Sequence, residues 1–318
     1  MGNQYVKLNN WNTDFLNNEK DVFQNNKESI TYLSKLKDGR LSSCSSDGFL
    51  NIYKNNSFEL QLSIKLHSNW INSFTQLFNG KIMTCSGDKT IKIIKLINEN
   101  KYQIEQTLIG HTEDVLKAIE IKKNELISIS RDKLMKIWIR NDKNNYINIL
   151  NIIFQYSHFS LCNILKLNDK EIVTSSIHDE CIRFWNFNNY SYITTINNIL
   201  SYSYYFQNMC LLEDDLLCVT GILLKGFYLI KISLHQIIKN IIRPYYIFSI
   251  IKCLNNLFLC SFINEYGKFI IAKYKYENYT FKTIFEKEKG NTVFSYVELD
   301  NGKIAYKGNN NLIQILEE

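Results

Sequence analysis

One proline and 12 glycines in 318 residues leave this chain short of the two residues that most often turn a backbone. The turns have to come from Asn and Asp, which are abundant here and tolerate left-handed backbone conformations. The eight cysteines include no C-x-x-C pair. Zinc ribbons therefore lack their spacing, and with no hydrophobic leader at the start, secretory disulfides are not expected either. Reduced thiols in a cytoplasmic protein are the expectation. No long apolar run is present: the uncharged stretch between Arg183 and Glu213 is broken by Asn186, Asn188, Asn189, Asn197, Asn198 and Asn208, so no membrane span is expected. An excess of one charge is missing too. With 37 Lys and Arg against 31 Asp and Glu, the net charge of +6 falls short of the basicity that makes phosphate neutralisation the default reading.

What the chain does have is 45% apolar and 14% aromatic content, ample material for a folded core. That material recurs in a unit: a short turn, an apolar run ending in Ser or Thr, a second turn with Asp, then another apolar run. The first turns are Asp38-Gly39, Asn79-Gly80, Lys123-Asn124, Asn168-Asp169, Asp214-Asp215, Asn255-Asn256 and Asn301-Gly302, which makes seven units spaced by 41 to 46 residues. Such a period accommodates four strands of about five or six residues with their connections. The runs, such as KIMTCS and TIKIIKL, are short and rich in β-branched residues, without a helical apolar period. Both faces of many runs are apolar, which suits small sheets covered on each side by neighbours. The expected fold is all-β, a seven-bladed β-propeller of four-stranded antiparallel blades occupying residues 1–318 as a single domain. The last unit has room for only two strands after its turn, while residues 1–28 precede the first unit. The N-terminal segment is therefore predicted to close the last blade and hide its edge.

Inside the units a constellation repeats. Asp132 is preceded by Ser128 at four residues and by His111 at 21, and is followed by Trp138 at six. The same offsets give His158, Ser175, Asp179 and Trp185 in the next unit, and His67, Thr84 and Asp88 in the one before, with Ile94 in place of Trp. The first unit keeps Ser43 and Asp47, with Tyr53 at the Trp position. On these residues, and on the passages SGDKTIKIIKL and GHTEDV, the chain is similar to the WD40-repeat family of seven-bladed β-propellers. The resemblance covers about residues 38–188. Beyond it Leu224, Glu265 and Asn310 take the turn-Asp position, and the seven-unit count alone carries the rest. It implies that His, Ser or Thr, Asp and Trp form a buried hydrogen-bond network in each matching unit.

His, Ser and Asp together also spell a hydrolytic triad. Repetition at fixed spacing, with Trp in attendance, argues for structure instead, because an active site needs one exposed nucleophile beside one oxyanion pocket. Nucleotide-binding glycine loops are absent as well, so no enzyme activity is expected. His158 and Cys162 stand four apart, but no second pair completes a metal site, and no cofactor is expected. The resemblance implies a scaffold or adaptor that binds partner proteins or peptides on the propeller face and rim. Trp70, three residues past His67, together with Arg131 and His178, each directly before its turn Asp, are the partner-binding candidates, because aromatics and Arg anchor interfaces. The alternatives are an RNA-binding propeller, through Arg131, Lys133, Lys136 and Arg140, and a membrane-recruited one. Lys133 and Lys136 fit better as protective strand-edge lysines. Membrane recruitment would need N-myristoylation at Gly2, where Val6 breaks the motif.

Overall fold

The computed structural model of the chain describes residues 19–22, 29–55, 57–153, 161–176, 181–197, 207–221, 226–242, 246–253, 257–263, 266, 268–275, 281–287, 295–300, 302–307 and 313–316. These residues form seven four-stranded antiparallel sheets. In blades 1 to 6 the strands follow one another in sequence order, so each blade is a meander. Blade 1 runs from Ile30–Lys35 to Leu60–Lys65, blade 2 from Ile71–Gln76 to Lys101–Leu108, and blade 3 from Val115–Lys122 to Tyr146–Ile153. Blade 4 runs from Leu161–Lys166 to Ser191–Ile196, blade 5 from Gln207–Glu213 to Gln236–Ile242, and blade 6 from Tyr246–Lys252 to Phe281–Lys287.

Blade 7 takes three strands from the end of the chain, Tyr296–Glu298, Ile304–Lys307 and Ile313–Leu316, and its fourth from the beginning. Glu19–Val22 pairs antiparallel along Ile313–Leu316, with Glu19 opposite Leu316 and Val22 opposite Ile313. The ring is thereby closed by backbone hydrogen bonds between the two ends of the chain, and the last blade's edge is covered as the strand count anticipates.

The apolar residues on both faces of the strands are divided among seven clusters, one between each pair of neighbouring blades. Leu50, Ile52 and Ile64 of blade 1 meet Ile71, Phe74 and Ile82 of blade 2, and Met83 and Ile93 of blade 2 meet Val115, Leu126 and Trp138 of blade 3. The sequence continues round the ring until Ile30, Leu33 and Tyr53 of blade 1 close on Leu299, Ala305 and Ile313 of blade 7. Among the described residues no cluster belongs to one blade alone; each sheet is buried because its neighbours stand on both sides. Polar bonds mark the closing joint, where Leu33 N–H donates to Ser295 Oγ at 2.7 Å and Lys35 pairs with Asp300.

The turns correct one expectation. Gly39 and Gly80 take left-handed conformations, as does Asn124, but so do Lys89 and Lys133. Asn and Asp turn the chain mainly through their side chains, accepting from the N–H two residues on: Asn79 from Lys81 at 3.1 Å, Asn168 from Lys170 at 2.8 Å, Asp88 from Thr90 at 3.1 Å and Asp132 from Leu134 at 3.0 Å. A second regularity is a β-bulge between the third and outer strands of blades 1 to 6, at Ile52/Tyr53, Ile93/Ile94, Ile137/Trp138, Phe184/Trp185, Leu229/Ile230 and Ile271/Ala272. In blades 1 to 4 it falls at the position that carries Trp in blades 3 and 4.

Candidate functional site

In blades 2 and 3 three segments converge at one end of the ring: the entry to the inner strand, the second strand, and the turn between second and third strands. In blade 3 this junction holds His111, Ser128, Asp132 and Trp138. His111 Nδ1 lies 2.6 Å from Asp132 Oδ2, and its Nε2 lies 2.7 Å from Ser128 Oγ. Trp138 Nε1–H donates to the same Ser128 oxygen at 2.8 Å. With Nδ1 directed at the carboxylate, Nε2 faces the Ser128 hydroxyl, so the chain runs Trp138 to Ser128 to His111 to Asp132. Backbone N–H groups of Thr112 and Leu134 complete the Asp132 carboxylate at 3.1 and 3.0 Å.

Blade 2 repeats the arrangement without the indole. His67 bonds Asp88 through Nδ1 and Thr84 through Nε2, both at 2.8 Å, while Ile94 fills the Trp place with apolar packing. Thr90 compensates on the carboxylate, its hydroxyl donating to Asp88 Oδ1 at 2.6 Å. Burial tends to raise the Asp88 carboxyl, but the bonds from His67 and Thr90 outweigh it and hold the group well below the usual carboxylate range. The same contest, burial against the His111 bond and two backbone N–H groups, holds Asp132 low as well. In blade 1, Ser43 and Tyr53 meet hydroxyl to hydroxyl at 3.1 Å.

Blade 4 differs from its sequence alignment. His158, Asp179 and His178 lie outside the described residues. Trp185 Nε1–H donates to Thr174 Oγ1 at 2.9 Å, not to Ser175. The register explains this: Ser128 stands opposite Lys136, two before Trp138, and Thr174 stands opposite Arg183, two before Trp185. Thr174 therefore occupies the place of Ser128, and the turn that follows is one residue longer in blade 4. Counting back ten from Trp185 selects Ser175, one residue too late.

The partner-binding candidates sit beside these junctions. Trp70 leads into the inner strand of blade 2 and is 40% exposed. Its indole lies over Gly87 in the turn before Asp88, so close that a β-carbon at 87 would stand 2.0 Å from Nε1. Gly87 N–H also donates to the Trp70 carbonyl at 3.0 Å. Blade 3 uses the same two places differently: Arg131 N–H donates to the Asp114 carbonyl at 3.0 Å, and the Arg131 guanidinium pairs with the Asp114 carboxylate at 3.3 Å. One blade thus offers an aromatic plate on glycine where the next offers an exposed cation on a carboxylate. Ile109, which the repeat pattern passes over, is 77% exposed at the same end, where the outer strand of blade 2 leads into Gly110 and His111. At the opposite end of the inner strand, beside the Asn79-Gly80 turn, Phe78 is also exposed. Both were visible as apolar residues next to a turn, although a period of four strands gives them no role.

Lys136 departs from the strand-edge expectation. It lies in the third strand of blade 3, is only 5% exposed, and donates to Asn151 Oδ1 at 2.7 Å. Its aliphatic stem is covered, and it is no surface phosphate contact.

Comparison with known proteins bears on the same residues. The WD40 family model, described as WD domain, G-beta repeat, matches residues 58–95, which run from the outer strand of blade 1 through most of blade 2. WD repeat-containing protein 55 homolog of Dictyostelium discoideum is 24% identical over 166 residues, covering 52% of this chain and 39% of that protein. The chain thus spans well under half the length of the curated relative it matches. Among solved structures, the WD40 β-propeller domain of Doa1 superposes with a TM-score of 0.73 at 15% identity, over 95% of this chain and 98% of that one. Residues 58–95 thus match the WD40 repeat, and the chain as a whole folds as a seven-bladed β-propeller like that of Doa1.

Proposed function

We propose that this propeller is a non-enzymatic scaffold that binds partner proteins or peptides on its network end, with Trp70 and Arg131 as anchors and His178 as a third contact. The observation that carries the reading is Trp70: a large aromatic held on Gly87 with 40% of its surface free. A protein of this kind gains little stability from leaving an indole half in water, whereas Trp and Arg are the residues that dominate interface energetics. Ile109 and the Arg131 guanidinium stand at the same end and supply apolar and charged neighbours.

A catalytic role for the His-Ser-Asp sets has no physical support. Ser128 has no exposed surface and His111 is 6% exposed, so no substrate reaches the hydroxyl, and its oxygen already accepts from Trp138. The seven described cysteines that are free thiols are all buried. That fits a reducing compartment, and we place the scaffold in the cytoplasm on this basis. None of the helices among the described residues is long and apolar enough to cross a membrane.

Affinity capture with mass spectrometry tests the reading. Trp70→Ala combined with Arg131→Ala should lose the partners that the wild-type chain captures while melting at the same temperature. Retained capture excludes this face, and a reproducible yield of RNA with wild type would favour a nucleic-acid reader instead.

A further inference from the structure

The outer strands of a propeller present unpaired backbone to solvent, and proteins usually guard such edges with charge. Five of the seven outer strands here do so: LQLSIK in blade 1, KYQIEQTL in blade 2, QIIKNII in blade 5, FKTIFEK in blade 6 and EKDV in blade 7. The outer strand of blade 3, Tyr146–Ile153, reads YINILNII and carries no charge over eight residues. Ile147, Ile149, Leu150 and Ile153 are exposed along it, between 37% and 66%. It pairs with the strand Leu134–Arg140 on one side and, among the described residues, with no strand on the other.

Its register holds a symmetry that the bare sequence conceals. Opposite Leu134–Arg140 the bulge leaves Ile149 without a partner, and Leu150 faces Ile137. Counted in rungs of that ladder, Leu150 stands at the centre. Asn148 and Asn151 lie one rung away on either side, Ile147 and Ile152 two rungs, and Tyr146 and Ile153 three rungs. Over these five central rungs, from Ile147 to Ile152 with Ile149 bulged out, the edge is thus a palindrome, which ends at the outermost rung, where Tyr146 answers Ile153. With Ile149 bulged out of the new pair as well, an identical strand laid antiparallel about a two-fold axis at Leu150 sets Leu opposite Leu, Asn148 opposite Asn151, and Ile147 opposite Ile152, each pair on a common face.

The two amides are complementary as well. Asn148 uses its Nδ2 within the blade, donating to the carbonyls of Ile137 at 3.0 Å and Leu150 at 3.1 Å. Asn151 uses its Oδ1, accepting from Lys136 Nζ at 2.7 Å. Asn148 keeps the acceptor and Asn151 keeps the donor, which is what a cross-strand Asn pair requires. The other uncharged edge, SYITTI in blade 4, has no such symmetry: a two-fold axis at its central rung, Thr194, opposes Tyr192 to Thr195 and Ser191 to Ile196.

We propose that the outer strand of blade 3 is a self-pairing edge, through which two copies of this chain form a two-fold dimer with one sheet continuous across both propellers. This surface lies on the rim, apart from Trp70 and Arg131, so the dimer can fail while the docking face stands, and the reverse. Sedimentation of the full chain across the micromolar range should give twice the monomer mass, falling to the monomer on dilution. Leu150→Lys puts like charges face to face on the axis and should be monomeric at every concentration, with an unchanged circular dichroism spectrum. Leu150→Cys should give a covalent dimer on mild oxidation, whereas Ile238→Cys on the outer strand of blade 5 should not; this pair decides the matter if the lysine variant fails to fold. A wild-type monomer throughout, which would leave the edge to a strand of another protein, overturns the proposal. So does a Leu150→Lys dimer as strong as wild type, or equal crosslinking from both cysteines.

Discussion

At the scale of single residues, the His-Ser-Asp-Trp set of blade 3 is a continuous circuit of buried polar groups running from Trp138 to Asp132, each satisfied by the next. Removing one member leaves its partner buried and unpaired, at about 1–3 kcal/mol. Asp132→Ala should lower the stability measured by denaturant melts by that amount, and an unchanged midpoint would refute the role. Acid should act through the same carboxylate. Because the folded Asp132 is held below its ordinary value, its contribution is fully present above the unfolded value of about 3.9 and is lost as pH falls through the folded one. The gap in melting temperature between wild type and Asp132→Asn should therefore be wide at neutral pH and shrink below about pH 4. A gap independent of pH would contradict this. The circuit was legible because its offsets repeat in the sequence. Thr174 was not, because a one-residue difference in turn length is invisible to counting and only the ladder opposite Arg183 reveals it. Thr174→Ala should cost about 1–3 kcal/mol by stranding the Trp185 indole N–H.

At the scale of the element, the turn before each network Asp is where blades with one skeleton acquire different surfaces. Blade 2 places Gly87 beneath Trp70, and blade 3 places Arg131 beside Asp114. Gly87→Ala drives a methyl group into the indole and has to displace it. That variant should weaken partner capture nearly as much as Trp70→Ala, although the indole itself is retained; full capture would mean that the seat of Trp70 is irrelevant. The strands themselves were readable from short β-branched runs apolar on both faces, since a sheet packed on two sides needs that composition. Lys136 was misread for a related reason. Its charge signals solvent, yet its strand is third in the blade and its stem and ammonium are both accommodated, the latter by Asn151.

At the scale of the whole molecule, seven interblade clusters hold the ring, and the last of them depends on the two chain ends meeting. Deleting residues 1–28 removes Glu19–Val22 and bares the edge of Ile313–Leu316. The melting temperature should fall by several degrees, because one kcal/mol moves a large domain by about 2–4 °C; an unchanged melt would deny the closure. The unit count and the shortage of strands after residue 301 made this joint legible from the sequence. The proposed partner surface was less so, since exposure follows from packing at the blade ends. The most direct test of that surface is photo-crosslinking from two positions at opposite ends of one inner strand. A photoreactive aromatic at Trp70 should crosslink a partner protein in cell lysate, and the same group at the exposed Phe78 should not. Crosslinks from position 78 alone would place the binding face at the wrong end of the ring and contradict the account.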